Sequence, residues 1–258
     1  MSTTERVAAI VPAAGRGSRL HPFPCPKELF PVGYQDVVIN GSVEKRPKVV
    51  SQYLLEHLVD AGASQVFFVL GSGKWDLMRY YGDGSRFDTN ISYLYQEELR
   101  GMPYAIDIAR PWLDGQTVLF GMPDTIIEPS DCFARLHRFH VETGAELTLA
   151  LFRTDNPSKF GMVELDDDAN VIRTIDKPKA SNLRYMWGAC CWSPAFTKLI
   201  GEYLHATEYT GREAVLGDVF NYALELHRPV KGLVFEEGKY IDIGTTTELN
   251  SALKQFHL

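Results

Sequence analysis

Residues 9–32 read AIVPAAGRGSRLHPFPCPKELFPV, and this run constrains the fold more than any other. An apolar strand, Val7–Val11, runs into a turn carrying Gly15 and Gly17. A fixed cation, Arg19, closes that turn, and Lys27 follows on a proline-punctuated loop. Glycine has no Cβ, so backbone N–H groups at such a turn can crowd around a phosphate. The cations neutralise what the amides cannot. The run therefore predicts a polyphosphate site at the C-terminal end of a first parallel strand.

Two better-known glycine loops fit less well. A dinucleotide fold wants a third glycine and then an acid about twenty residues on to hold the ribose. Here Leu20 stands where the third glycine belongs, and Asp36 lies inside GYQDVVINGSVEKRP, which does not read as the end of a second strand. A P-loop wants glycine directly before Lys-Ser or Lys-Thr. Lys27 is flanked by Pro26 and Glu28 instead.

Beyond the opening run, short apolar segments bounded by turn residues predict strands at Gln65–Gly71, Ile91–Tyr95, Thr117–Phe120 and Glu146–Phe152. Helical spacing falls between them. In Val49–Ala61 the apolar face runs through Val50, Tyr53, Leu54, Leu58 and Ala61, with Gly62 as the stop. Ser130 or Asp131 is expected to cap a second helix closed by Gly144, with Phe133, Leu136 and His140 inward. Thr246 or Thr247 is expected to cap a last one. Strands alternating with helices predict an α/β fold, a mostly parallel doubly wound sheet. Met162–Trp192 reads as antiparallel hairpins inserted beside the main sheet, and Tyr34–Lys45 as a surface loop or small hairpin. With no linker in view, residues 1–258 are expected to form a single domain.

Composition sets limits. A net charge of −7 gives no support to a nucleic-acid partner. Four cysteines, with no C-x-x-C spacing, indicate neither a disulfide framework nor a zinc site. The apolar stretch Val7–Ala14 is too short for a membrane span and lacks a signal peptide's architecture, so a cytoplasmic setting is expected. The histidines form no metal-like cluster; His137 and His140 share a helical face and read as packing residues.

With these residues in place, the chain resembles the sugar-1-phosphate nucleotidyltransferases, the group that includes glucose-1-phosphate thymidylyltransferase. The resemblance runs through six segments in order: the opening G-x-G-S-R-L-x-P and P-K-E-L-F-P-V, then R-P-K before the first helix, Gln96 with RGMPYA, VLFGMPDTII, FGMVELDDDANVIRTIDKPK and YIDIGTTTEL. It implies a Rossmann-like nucleotidyltransferase fold. It further implies a reaction in which a nucleoside triphosphate and a sugar 1-phosphate give an NDP-sugar and pyrophosphate, by in-line attack on the α-phosphorus with Mg2+ as cofactor. Arg19 and Lys27 would be catalytic, Arg19 on the leaving phosphates and Lys27 beside the α-phosphate. Asp124 and Asp242 would bind the metal, as carboxylates beyond apolar strand patterns suit Mg2+ with retained waters. Ala13, Ala14, Gly15, Gly17, Ser18, Gln96 and Gly101 would bind the nucleotide. Gly161, Asp176, Lys177 and Trp187 would bind the sugar phosphate, with glycine at 161 permitting close ligand approach. Trp187 reads equally as core packing, and Asp218 equally as a helix-start cap.

Gln96 can pair with a pyrimidine edge as donor and acceptor, which favours dTTP or UTP; an amide can flip, so CTP stays open. Departures from the family pattern leave the acceptor open as well. Two residues, Met122 and Pro123, separate Gly121 from Asp124; Asp176 stands where glutamate is usual; Pro103 removes an N–H from the base loop. The sequence ends soon after the second metal segment, so C-terminal regulatory helices and a β-helix domain are not expected. A homo-oligomer is compatible with the sequence. The alternatives are a silent nucleotide-sugar-binding regulatory subunit, or transfer from CTP to a non-glucose phosphorylated acceptor.

Overall fold

A computed structural model describes residues 6–256. After β1 (Val7–Ala13), short 3-10 turns at Ser18–Leu20 and Lys27–Leu29 lead into a hairpin of β2 (Pro31–Ile39) and β3 (Ser42–Val49). There follow α1 (Val50–Asp60), β4 (Gln65–Leu70), α2 (Trp75–Tyr81), β5 (Asn90–Tyr95), α3 (Met102–Ala109) and β6 (Thr117–Gly121). Next come β7 (Thr125–Glu128), α4 (Cys132–Thr143), β8 (Leu147–Arg153), β9 (Gly161–Leu165), β10 (Val171–Asp176) and β11 (Tyr185–Trp192). The chain closes with α5 (Pro194–Ala206), α6 (Leu216–Glu225), β12 (Val230–Phe235), β13 (Lys239–Asp242) and α7 (Thr246–Gln255).

Nine strands among the described residues form one sheet. Its centre is the parallel set β6–β1–β4–β5. β11 joins β6 antiparallel, β8 joins the far edge of β11, and β12 runs parallel to β8. The β9–β10 hairpin attaches at the start of β11, through Tyr185 and Met186. The antiparallel strands therefore do not all sit beside the main sheet, as expected from sequence. β11 lies within it, because Ala189–Trp192 are apolar on both faces and wholly buried.

Alternation along β1 divides the core into two layers. Ala9, Val11 and Ala13 belong to the face covered by Leu54, Leu55 and Leu58 of α1 and Phe133 of α4. Ala8 and Ile10 belong to the opposite face, with Ile106 of α3, Phe196 of α5 and Phe220 of α6. Fully burying each valine, leucine, isoleucine or phenylalanine among these contributes roughly 1.5–3 kcal/mol. A smaller cluster, including Leu20, Val32, Ile126, Ile243 and Leu249, packs α7 under the opening turn.

Helix ends depart from the expectation in two places. Asp131 occupies the N-cap of α4, but its side chain makes no cap hydrogen bond; Gly144, at φ 62, closes the helix as expected. The cap of α7 is Thr245, one residue earlier than expected: its Oγ1 accepts from the Glu248 N–H and donates to Glu248 Oε2. That reciprocal Thr-x-x-Glu pairing satisfies two donors at once, which the later threonines cannot do. Tyr34–Lys45 resolves as the hairpin, Tyr34 facing Pro47.

Candidate active site

Parallel strands end on the same edge of a sheet, so the segments leaving β1, β4, β5 and β6 converge. They deliver the 14–20 turn, Lys74, Gln96 and Asp124 respectively. Several cavities open there: one runs along Pro24–Lys27 and Ser72–Lys74, and two more hold the expected site residues. One, of about 630 Å³, is lined by Ala14, Gly15, Gly17, Ser18, Gln96 and Gly101. The other, of about 710 Å³, is lined by Gly161, Asp176, Lys177, Trp187 and Asp242. Arg19, Lys27 and Asp124 line both, as do Glu213, Met102 and Met122, so the cavities share a wall of two cations and two carboxylates.

Main-chain pairing fixes the two acids. β7 and β13 form a separate antiparallel ladder in which Asp242 lies opposite Thr125. Asp124 is one residue earlier, and its carbonyl accepts the Ile243 N–H at 3.1 Å. Asp124 is buried, and Lys27 Nζ donates to its Oδ2 in an ion pair. Burial alone would push the Lys27 ammonium down, but Asp124, Glu28 and Asp242 outweigh it and hold the group above its ordinary value. The Asp242 carboxyl is pushed up to about 6 by burial first, then by the charges of Asp124 and Glu248. Two coupled carboxylates that share one lysine have the donor set a divalent cation takes, and Asp124 already receives a cationic group. Among the described residues no group of three or more His, Cys, Asp or Glu could hold a metal, so any ion here would draw further ligands from substrate or water.

The remaining residues take defined places. Gly17, at φ 63, starts the turn that carries Arg19, and the aliphatic stem of Lys27 lies against it: a Cβ at 17 would sit 3.6 Å from Lys27 Cδ. Gly244 lets Arg19 approach, as a Cβ there would come within 2.9 Å of Nη2. Gln96 is 5% exposed, and its Nε2 has no partner among the described residues. A buried donor without an acceptor costs roughly 1–3 kcal/mol, which makes it the strongest pointer to a ligand in the first cavity. Gly101, at φ 113, bridges to Ala214; a Cβ would collide with that backbone, so the 213–217 segment closes over the cavities only because residue 101 is glycine. Lys177 is held at φ 42 with its N–H donating to the Phe160 carbonyl at 3.0 Å, an unusual conformation for a lysine in the cavity wall.

Other expected residues fall as follows. Ala13, the last residue of β1, is buried in the core layer and is not in the cavity lining, which takes Pro12 and Ala14 on either side of it. Gly161 makes room for Trp187, since a Cβ would collide with the indole nitrogen, and it also lines the second cavity. Trp187 fills both of its readings, lining the cavity while its ring packs edge-on against Phe220 at 5.2 Å. Asp218 lies in the first turn of α6 behind the N-cap Val215, and no side-chain cap forms. His140 is a core residue, its Nδ1 paired with Thr148 Oγ1 at 2.9 Å.

Sequence reasoning missed Glu28 and Lys74, a buried ion pair with hydrogen bonds of 2.7 and 2.9 Å. The signals were present: an acid embedded in the apolar loop beside Lys27, and a lysine at the C-terminal end of β4. It also missed Glu213, which lines both cavities.

The chain belongs to the nucleotidyl transferase family, whose pattern it matches over residues 8–257. It is similar to the glucose-1-phosphate thymidylyltransferase of Streptomyces antibioticus, 28% identical over 247 residues, covering 93% of this chain and 64% of that protein. The low-salt glycan biosynthesis nucleotidyltransferase Agl11 of Haloferax volcanii is 27% identical over 249 residues, with coverages of 92% and 64%. The chain thus spans 64% of the length of each of these two relatives. Among solved structures, a UDP-glucose pyrophosphorylase complexed with UDP-glucose superposes with a TM-score of 0.80 at 17% identity, over 98% of this chain and 99% of that one. That likeness establishes a shared Rossmann-like nucleotidyltransferase fold.

Proposed function

We propose that this chain transfers a nucleotidyl group from a nucleoside triphosphate to a sugar 1-phosphate, releasing pyrophosphate. The observation that carries the proposal is the shared wall: two cavities, each large enough for one reactant, meet where Arg19, Lys27 and Asp124 stand, together with Glu213, Met102 and Met122. The nucleotide occupies the first cavity, its triphosphate along the Gly15–Arg19 turn and its base at Gln96, whose unpaired Nε2 donates to a pyrimidine carbonyl. That favours dTTP or UTP. The sugar phosphate occupies the second, its hydroxyls on Asp176, its phosphate on Lys177 and its ring against Trp187.

In the reaction a phosphate oxygen of the acceptor forms a bond to the α-phosphorus. The bond from that phosphorus to the α,β-bridging oxygen breaks, and pyrophosphate departs with the electron pair. Both reactants are anions, so alignment and charge neutralisation supply the catalysis, and no protein nucleophile is required. Lys27 neutralises charge that builds on the α-phosphoryl oxygens, and the guanidinium of Arg19 grips the departing phosphates. Asp124 and Asp242 would hold Mg2+, which, when bound, would neutralise charge on the triphosphate.

The test is pyrophosphate release from dTTP or UTP with a panel of sugar 1-phosphates, the NDP-sugar being identified by mass. Release should vanish in EDTA, and Asp124→Asn and Asp242→Asn should each cut turnover by orders of magnitude. No release from any pair, or near-normal rates in both variants, would refute the proposal.

A further inference from the structure

The turn that carries Lys27 is held from behind by charges that no step above uses. Glu28 is 1% and Lys74 5% exposed. Lys74 Nζ donates to both Glu28 carboxylate oxygens, at 2.9 and 2.7 Å. The two residues come from different elements: Glu28 from the Lys27–Leu29 turn, Lys74 from the N-cap of α2. Further anchors hold the same turn. Ser51 of α1 donates its hydroxyl to the Glu28 carbonyl at 2.6 Å and pairs with the buried Tyr81 hydroxyl of α2 at 2.6 Å. The Val50 N–H, unsatisfied at the start of α1, donates to the Phe30 carbonyl at 3.0 Å.

Lys27 and Glu28 are adjacent on one tight turn, so their side chains leave in diverging directions, one to Asp124 and the other to Lys74. An apolar pair of equal volume would serve stability as well as a buried ion pair, often better. What the ion pair adds is direction: two hydrogen bonds fix how the turn is rotated, and with it the line along which Lys27 reaches the shared wall. We propose that Lys74 and Glu28 are positioning residues, a latch that aims the Lys27 ammonium at the junction of the two cavities. The proposal rests on the role given to Lys27 above.

Breaking one partner would strand a buried charge and could unfold the protein, so paired variants provide the test. In Glu28→Leu/Lys74→Met both charges go and volume is kept. In Glu28→Gln/Lys74→Gln the charges go but a side-chain hydrogen bond is retained. Amide exchange across residues 27–30 should rise about tenfold or more in the apolar pair and stay within about threefold of wild type in the amide pair. Turnover should fall about thirtyfold or more in the apolar pair with KM for both substrates within about threefold, since aim matters to the transition state more than to binding. The amide pair should recover most of that loss. Unchanged exchange in the apolar pair, or turnover within about threefold of wild type, overturns the latch. Should the wild-type protein release no pyrophosphate from any pair, the proposed function fails while the exchange comparison still decides the latch.

Discussion

The raised carboxyl of Asp242 makes a testable statement about pH. Its folded value, about 6, lies above the ordinary 3.8 because burial and the charge of Asp124 both oppose ionisation. The proton is held by Asp242, beside the Asp124 charge. A cation entering between them must displace that proton. With an apparent pKa near 6, the ionised fraction falls about tenfold from about pH 7 to about pH 5, and apparent Mn2+ affinity should fall with it. The metal-free protein should show the reverse trend in stability. A group whose folded pKa is raised contributes stability that is complete below its unfolded value and is lost as pH rises through the folded one. The window is therefore about 4 to 6. A shift of about two units corresponds to at most about 3 kcal/mol, or several degrees of melting temperature. Mn2+ titration by electron paramagnetic resonance and melting curves at matched pH check both trends, with Asp242→Asn as the control that should flatten them. An affinity that stays level from about pH 7 to about pH 5 would refute the reasoning.

Two further outcomes follow from the cavity walls. Gln96→Leu removes a buried donor that has no partner among the described residues, so the unliganded protein should melt no lower than wild type, while calorimetric Kd for the preferred NTP rises about tenfold or more; unaltered nucleotide binding would remove Gln96 from the base site. Gly161→Ala should push the Trp187 indole aside, raising the acceptor KM about tenfold with the nucleotide Kd unchanged. The same substitution in a Trp187→Phe background should have little further effect, and equal losses in both backgrounds would contradict the steric argument.

The central strands were legible because continuous apolar runs between turn residues are the signature of parallel strands buried on both faces. The pairing of β7 with β13 was not, and β7 went unmarked as a strand of its own. Each has only four residues, too few for periodicity to register. The β2–β3 hairpin hovered between loop and hairpin because one face carries the exposed apolar pair Val38 and Val43 and the other is only half-buried, so no apolar–polar alternation marks it. Strand-end reasoning brought Arg19, Lys27, Asp124 and Asp242 to one place. Their mutual contacts were beyond it: Lys27 and Asp124 are 97 positions apart, and Glu28 and Lys74 are 46 apart. Gly161 teaches a related lesson. A sequence shows that some group must come close to a glycine, but not whether that group is a substrate or a neighbouring indole.

The β7–β13 ladder has a practical consequence. The spacing between residues 124 and 242 is dictated by main-chain hydrogen bonds, not by the side chains around them. The rest of the second cavity's wall comes from other parts of the chain, the ends of β9 and β10, β11 and the approach to α6. In the proposed reading, the groups that would face the acceptor's sugar thus lie outside the ladder that sets the two acids. An engineer seeking a new acceptor can rewrite positions 176, 177 and 187 and leave the backbone gauge between the two acids untouched.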